Sequence, residues 1–402
     1  MSEFRTLIVH PALAPYRVDL FNRLNERIDM KVIFLNDHVR YYDSFNQEKL
    51  RGSLKCDYDY LLSGFEILGR EFRTGLGKII DEFKPDVVVS HEFSYITLAT
   101  ALYRILGTKH SFGHLLWTVE NNSLLEHRNF LRRFLRKICC KAVDGMLVYS
   151  DEIKNQFARF GLPRERIFVC ANHQDEKRFL TNLETARSLL GEHVKKYMLH
   201  DKKIVLYVGR LAKPKNLPLL INAFSMVSRK NPAVILVLVG DGPEKKFLQS
   251  RAESLNISNK VLFIGHRENA HLYVWYLLAS LFVLPSTREP YGAVVNEALM
   301  TGVPVLCSSH AGANVLINDS KNGCLFNPYN TKELAYRINE ALTGDITVEK
   351  LAPARRENLM PVPFERDVTS FVKAVEYIGE LQRAQGARRT KRAFHLLPKL
   401  FS

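Results

Sequence analysis

The sequence predicts an α/β protein of two doubly wound domains, each a parallel sheet with helices on both faces. Three observations carry this. The chain has 402 residues, more than one ordinary hydrophobic core organises. Short β-branched runs alternate with longer amphipathic runs, the pattern of strand–helix–strand units. The alternation lapses into a polar, helix-prone stretch over residues 176–201 and then restarts, so the series occurs twice.

In chain order, RTLIVH reads as the first strand, YRVDLFNRLNER as a helix and MKVIFLN as the second strand. From Asp37 to Gly64 little pattern is visible, and a loop of that length is usually functional. EFRTGLGKIIDEF is a helix, PDVVVSH a strand, YITLATALYRILG a helix closed by Gly107, and FGHLLWTV a strand. The basic helix NFLRRFLRKICCKAVD, the strand GMLVYS, the helix DEIKNQFARFG and the strand RIFVCAN complete the first series. The second runs KIVLYVG, a helix from Asn216, AVILVLVG, a helix opened by DGPE, KVLFIGH, the helix HLYVWYLLAS, LFVLPS, a motif-bearing helix, VPVLCSS and the helix TKELAYRINEALTG. Asn216 is placed to cap the helix after it. The expected domains are 1–175, a linker at 176–201, a second domain at 202–362, and at 363–402 a helix returning toward the N-terminal domain and a basic tail.

The formal net charge is +15, which points to an anionic partner: a phosphorylated ligand, a membrane surface or nucleic acid. Six cysteines form no C-x-x-C pair, which argues against a zinc or redox motif and for reduced thiols. No apolar N-terminal segment suits a signal peptide, and YVWYLLASLFVLP falls short of the roughly 20 residues a spanning helix needs. A cytoplasmic chain is expected, with the basic helix and tail able to meet the inner face of an anionic membrane. Asp57 and Asp59 form a D-x-D spacing, and His110 and His114 could share a strand face, but neither pair has a further ligand, so no metal site is expected.

The informative stretch is STREPYGAVVNEALMTGVPV, from Ser286. A helix is expected from Tyr291 or Gly292 to Thr301, with Gly302 at its C-terminal cap. Free amides in its first turn, approached closely at Gly292, suit a phosphate. Glu289 lies just outside the helix and Glu297 in its second turn. Carboxylates accept hydrogen bonds from hydroxyls, so two of them around a phosphate site suggest hydroxyls on both sides of the phosphates, as in a nucleotide sugar. The plainer alternative makes Glu289 a helix-dipole acid and Glu297 a surface charge. In YVGRLAKPKNLPLL, Arg210 and Lys215 follow a strand that aims into the expected ligand rim, where Arg forks onto phosphate oxygens and Lys acts as a point charge.

VGRLAKPKNLPLLINAF, LVGDGPE, VLFIGH and LPSTREPYGAVVNEALMTGVPVL, in that order, resemble the family-4 glycosyltransferases, retaining enzymes of GT-B fold with two Rossmann-like domains facing across a cleft. The resemblance implies that Glu289 and Glu297 contact donor sugar and ribose. It assigns Arg210 and Lys215 to the diphosphate. Gly209 and the backbone of Tyr291, Gly292 and Ala293 would line the donor site, with His266 and Arg267 by the base. It is weaker in the first half, where HPALAPYRVDLF lacks the family's Gly-Gly loop. VVSHEFS matches a His-containing segment, making His91 a candidate, and LLWTVENN offers Glu120 where many members carry histidine. Glu120 is either an acceptor-side carboxylate or a helix-capping acid.

The resulting expectation is transfer of a sugar, with retention, from a nucleotide diphosphate-sugar to a hydroxyl of a glycan or lipid-linked glycan, as in lipopolysaccharide, capsule or other cell-surface polysaccharide assembly. No metal or other cofactor is expected. The alternatives are a nucleic-acid-binding or DNA-modifying GT-B protein, and a nucleotide-sugar epimerase or hydrolase. The first needs aromatic partners along a basic groove, for which VRYYDSF is the single hint, so no nucleic acid is expected as partner.

Overall fold

The computed structural model describes residues 2–37, 47–67, 70–106, 110–120, 130–319, 321–343 and 357–396. They form two compact units. The first takes the described residues of 2–120, 130–172 and 365–396, and the second those of 173–364.

The first unit holds a seven-stranded sheet. Its strands are β1 (Ser2–Ala12), β2 (Ile28–Asn36), β3 (Asp57–Tyr60), β6 (Val87–His91), β7 (Gly113–Trp117), β8 (Gly145–Val148) and β9 (Ile167–Val169). The order is β3-β2-β1-β6-β7-β8-β9 and every pairing is parallel. The central strands β7 and β8 are buried at every position, as continuous apolar runs covered on both faces by helices must be. A separate antiparallel hairpin joins β4 (Gly64–Ile67) and β5 (Arg70–Arg73). The helix Phe364–Leu396 returns to this unit. Phe371, Ala374, Val375 and Ile378 are buried, and Phe371 meets Trp117 edge-on at 5.4 Å.

The second unit holds β10 (Lys203–Val208), β11 (Val234–Val239), β12 (Val261–Gly265), β13 (Leu281–Leu284), β14 (Val305–Ser308) and β15 (Gly323–Phe326). The order is β12-β11-β10-β13-β14-β15, again all parallel. In both sheets the strand order reverses beside the first strand, between β1 and β6 and between β10 and β13. Ligands of open parallel sheets bind beyond the carboxyl ends at such a reversal.

Several expectations need correction. The patternless stretch 37–64 contains the helix Gln47–Gly52 and the strand β3. Asp57 and Asp59 sit in β3, where Lys31 pairs with Asp57 at 3.4 Å and Asp59 accepts the Tyr60 amide, so they are edge-strand residues. The stretch 176–201 carries the helices Glu176–Ser188 and Leu190–Lys196, and it belongs to the second unit rather than standing between units. The strand β15 was not visible in the sequence. His110 precedes β7 instead of sharing its face, and bonds to the Pro85 carbonyl. All six cysteines are buried, and none is in a disulfide. Gly107 lies outside the described residues.

Candidate functional site

The reversal in the second sheet brings two loops side by side, one after β10 and one after β13. The first carries Gly209, Arg210 and Lys215. Gly209 and Gly240 both have positive φ, and a Cβ on Gly240 would lie 2.0 Å from the Gly209 carbonyl oxygen. The loops after β10 and β11 therefore meet backbone to backbone, and glycine is required there. The Gly240 amide donates to the Gly265 carbonyl at 2.9 Å, which ties in the third loop, bearing His266 and Arg267. His266 faces Glu268 at 3.1 Å, and Arg267 donates to the His266 carbonyl. The Tyr207 hydroxyl donates to the Arg210 carbonyl at 3.0 Å, fixing the backbone from which the Arg210 side chain leaves.

The loop after β13 is stitched to the loop after β10 twice. The Thr287 amide donates to the Pro214 carbonyl at 3.0 Å, and the Lys215 ammonium pairs with the Glu289 carboxylate. Glu289 is nearly buried, and its own carbonyl accepts the Gly312 amide. Gly292 has φ 98°, and a Cβ there would meet Leu284 Cδ2 at 2.8 Å, so the turn through Tyr291, Gly292 and Ala293 admits no side chain at its middle.

The helix that follows is shorter than expected: Val294–Met300. Its Val295 and Asn296 amides donate back to the Gly292 and Ala293 carbonyls, so part of the free N-terminal turn expected from the sequence is already satisfied. Its end is as the sequence suggested. Gly302 has φ 70°, and the Val303 amide reaches the Ala298 carbonyl at 2.9 Å in a Schellman closure. Glu297 is not a surface charge. It accepts the Tyr276 hydroxyl at 2.7 Å and the Gln174 amide at 3.4 Å, and burial raises its pKa. Asn216 does not cap the following helix. It has φ 54° and its side-chain amide donates to the Pro328 carbonyl at 2.7 Å.

The first unit has a polar cluster of its own at the reversal between β1 and β6. His91 ends β6 with both ring nitrogens shielded from solvent, and neither has a hydrogen-bond partner. Burial and the nearby Arg17 charge lower its pKa to about 3, so the ring is neutral. Glu120 is fixed by the buried Arg136, whose Nε lies 2.8 and 2.9 Å from its two carboxylate oxygens. That pairing makes Glu120 a tie between the end of β7 and the helix Phe130–Ala142.

Sequence reasoning missed three neighbours of His91. Arg17 is buried, donates to the Tyr149 hydroxyl at 2.7 Å, and lies 4.1 Å over the Trp117 ring, while its Nε and Nη1 have no partner. His10 meets the His91 ring at 4.6 Å. Glu92 has φ 62°, a strained conformation for a residue with a Cβ, and burial raises its pKa to about 7 against hydrogen bonds from Val119 and Thr118. The one signal available was position: each follows or ends a strand that a reversal makes ligand-facing.

Two doubly wound sheets, each collecting polar groups at its reversal, define a GT-B type of α/β protein. Solved structures agree on the fold. The lipopolysaccharide outer core galactosyltransferase WaaB in its apo form has a TM-score of 0.66 at 18% identity, covering 92% of this chain and 99% of that one. Anabaena HepE in complex with UDP has a TM-score of 0.65 at 17% identity, covering 96% and 99%. Residues 18–178 match the profile of Glycosyltransferase Family 4, and residues 192–358 that of Glycosyl transferases group 1. The chain belongs to the family-4 glycosyltransferases.

Among curated relatives, the alpha-D-kanosaminyltransferase of Streptomyces kanamyceticus is 29% identical over 54% of this chain and 55% of that protein. The alpha-monoglucosyldiacylglycerol synthase of Streptococcus pneumoniae is 29% identical over 50% of this chain and 45% of that protein. The chain thus spans about half the length of these relatives. The D-inositol 3-phosphate glycosyltransferase of Corynebacterium urealyticum is 26% identical over 84% and 81%.

Proposed function

We propose that this chain transfers a sugar from a nucleoside diphosphate-sugar to a hydroxyl of a glycan or lipid-linked glycan, with retention at the anomeric carbon. The observation that carries the reading is the Lys215–Glu289 ion pair across the sheet reversal, with Arg210 on the same loop as Lys215. It sets cations suited to a diphosphate beside a carboxylate suited to sugar hydroxyls. Glu297, desolvated and oriented by Tyr276 and Gln174, is the acceptor for ribose hydroxyls. His266 and Arg267 stand at the base end.

As the bond from the anomeric carbon to the diphosphate oxygen breaks, negative charge grows on the leaving group. Arg210 and Lys215 stabilise it, and Lys215 exchanges Glu289 for phosphate while Glu289 turns to the sugar. The acceptor hydroxyl passes its proton to the departing diphosphate oxygen as its own oxygen bonds to the anomeric carbon, so the products are the glycosylated acceptor and the nucleoside diphosphate. These cations supply the charge neutralisation, so the reading invokes no metal. His91, neutral and with neither ring nitrogen hydrogen-bonded, is a hydrogen-bonding group for a sugar hydroxyl on the first unit, and the Arg17 cluster supports a polar acceptor there. The place of action is the cytoplasmic face of a membrane that carries the acceptor.

A thermal-shift screen of nucleotides and nucleotide sugars tests the donor half, with UDP first because HepE is described in complex with it. A nucleotide sugar that raises Tm in the wild type, and much less in Arg210→Ala, supports the reading. A chain indifferent to every nucleotide overturns it. Product analysis with and without acceptor separates transfer from hydrolysis or epimerisation.

A further inference from the structure

The helices Tyr95–Leu106 and Phe130–Ala142 cross over between β6, β7 and β8, neighbouring parallel strands, and right-handed crossovers put both on the same face of the first sheet. Arg104 joins them at their ends, donating to the Ala142 carbonyl at 3.0 Å and pairing with Asp144. On the first helix Leu102, Ile105 and Leu106 are 57%, 73% and 76% exposed. On the second, Phe134 and Ile138, one turn apart, are 52% and 38% exposed. Beside that apolar row runs a second i, i+4 row of exposed cations, Arg133, Lys137 and Lys141. The helix Phe130–Ala142 has no acidic residue, and a further cation, Arg136, is turned inward onto Glu120.

Single exposed leucines are ordinary; five large apolar side chains on two adjoining helices, edged by unpaired-sign charge, are not. A second copy of this chain does not suit the face, because two-fold self-pairing would oppose like rows of cations. An apolar ridge flanked by lysine and arginine suits a bilayer surface, with the ridge among the acyl chains and the cations at anionic headgroups. We propose that this face of the first unit binds a membrane surface containing anionic lipid, lying in the interface without crossing it. The inference deepens the membrane setting of the proposed function by naming the surface that meets the lipid, and it rests on no step of sugar transfer.

Co-sedimentation of the full chain with vesicles tests it. Binding is expected to vesicles of mixed phosphatidylcholine and phosphatidylglycerol, to fall with added salt, and to be at least tenfold weaker with phosphatidylcholine alone. Ile105→Ser with Leu106→Ser, and separately Arg133→Gln with Lys137→Gln and Lys141→Gln, should each weaken binding about tenfold or more while leaving Tm near wild type. Undiminished binding in both variants, or no binding by the wild type, overturns the proposal. A concentration-dependent dimer that the same variants dissociate overturns it in favour of self-association. The readout is binding, so loss of transferase activity does not imitate failure here.

Discussion

At the scale of single residues, the molecule places charge where solvent cannot neutralise it, and each such residue makes a distinct forecast. Under the proposed reading Arg210→Ala removes one donor to the leaving diphosphate, and kcat should fall on the order of 100-fold. Turnover near wild type in steady-state assays would remove Arg210 from the diphosphate site. Glu92 gives a forecast of opposite character. Its folded pKa of about 7 lies above the ordinary glutamate value of 4.5, so the native state holds a proton that the unfolded state releases. Stability therefore falls as pH rises from 4.5 through 7, and the loss is complete above that window. Glu92→Gln should raise stability at pH 8 by roughly 1–3 kcal/mol and change little near pH 4.5, measured by urea unfolding at both.

The residues proposed for the donor side were legible as a group because they lie in short motifs. Arg210, Lys215, Glu289 and Glu297 all sit around one strand reversal. Arg17, Glu92 and the Arg136 partner of Glu120 were not legible. Their roles depend on which strands neighbour one another, and periodicity does not encode that order.

At the scale of elements, strands buried on both faces were easy to read, since VILVLV and LFVL have no other comfortable conformation. The edge elements were harder. β3 is DYDY and alternates between exposed and half-buried, and β15 is GCLF, where Gly323 fits because a Cβ would lie 1.9 Å from the Val305 carbonyl oxygen. Neither carries the β-branched run that marks a strand. The helix Phe364–Leu396 was legible as a helix expected to return toward the first domain, but the residues it would pack on were not. Phe371 within it is fully buried against Trp117. Phe371→Ala should cost about 3–5 kcal/mol, read as a lower denaturant midpoint with the m-value kept.

At the scale of the whole molecule, three buried histidines set the acid limit. His91 and His114 have pKa values lowered to about 3, and His10 lies well below its ordinary value, each chiefly through burial. The unfolded chain protonates near 6.5 while the folded one does not, so stability is lost as pH falls from 6.5 toward 3. Thermal midpoints taken across that range should drop steadily. His114→Gln, which can still bond Ser90, should flatten the slope by one histidine's share. Transfer activity, under the proposed reading, should survive EDTA, because Arg210 and Lys215 supply the positive charge. A rate that collapses with chelator and returns with a divalent ion would replace that account.

The helix Phe364–Leu396 leaves the second unit and completes the first. A ribosome has made the strands of both sheets before the earlier of the two receives this covering. Until then Trp117 and Phe4 lack the neighbours that bury them, so the N-terminal half must wait, partly assembled, through synthesis of everything downstream. A premature stop just before Glu365 would accordingly injure the half of the protein made first.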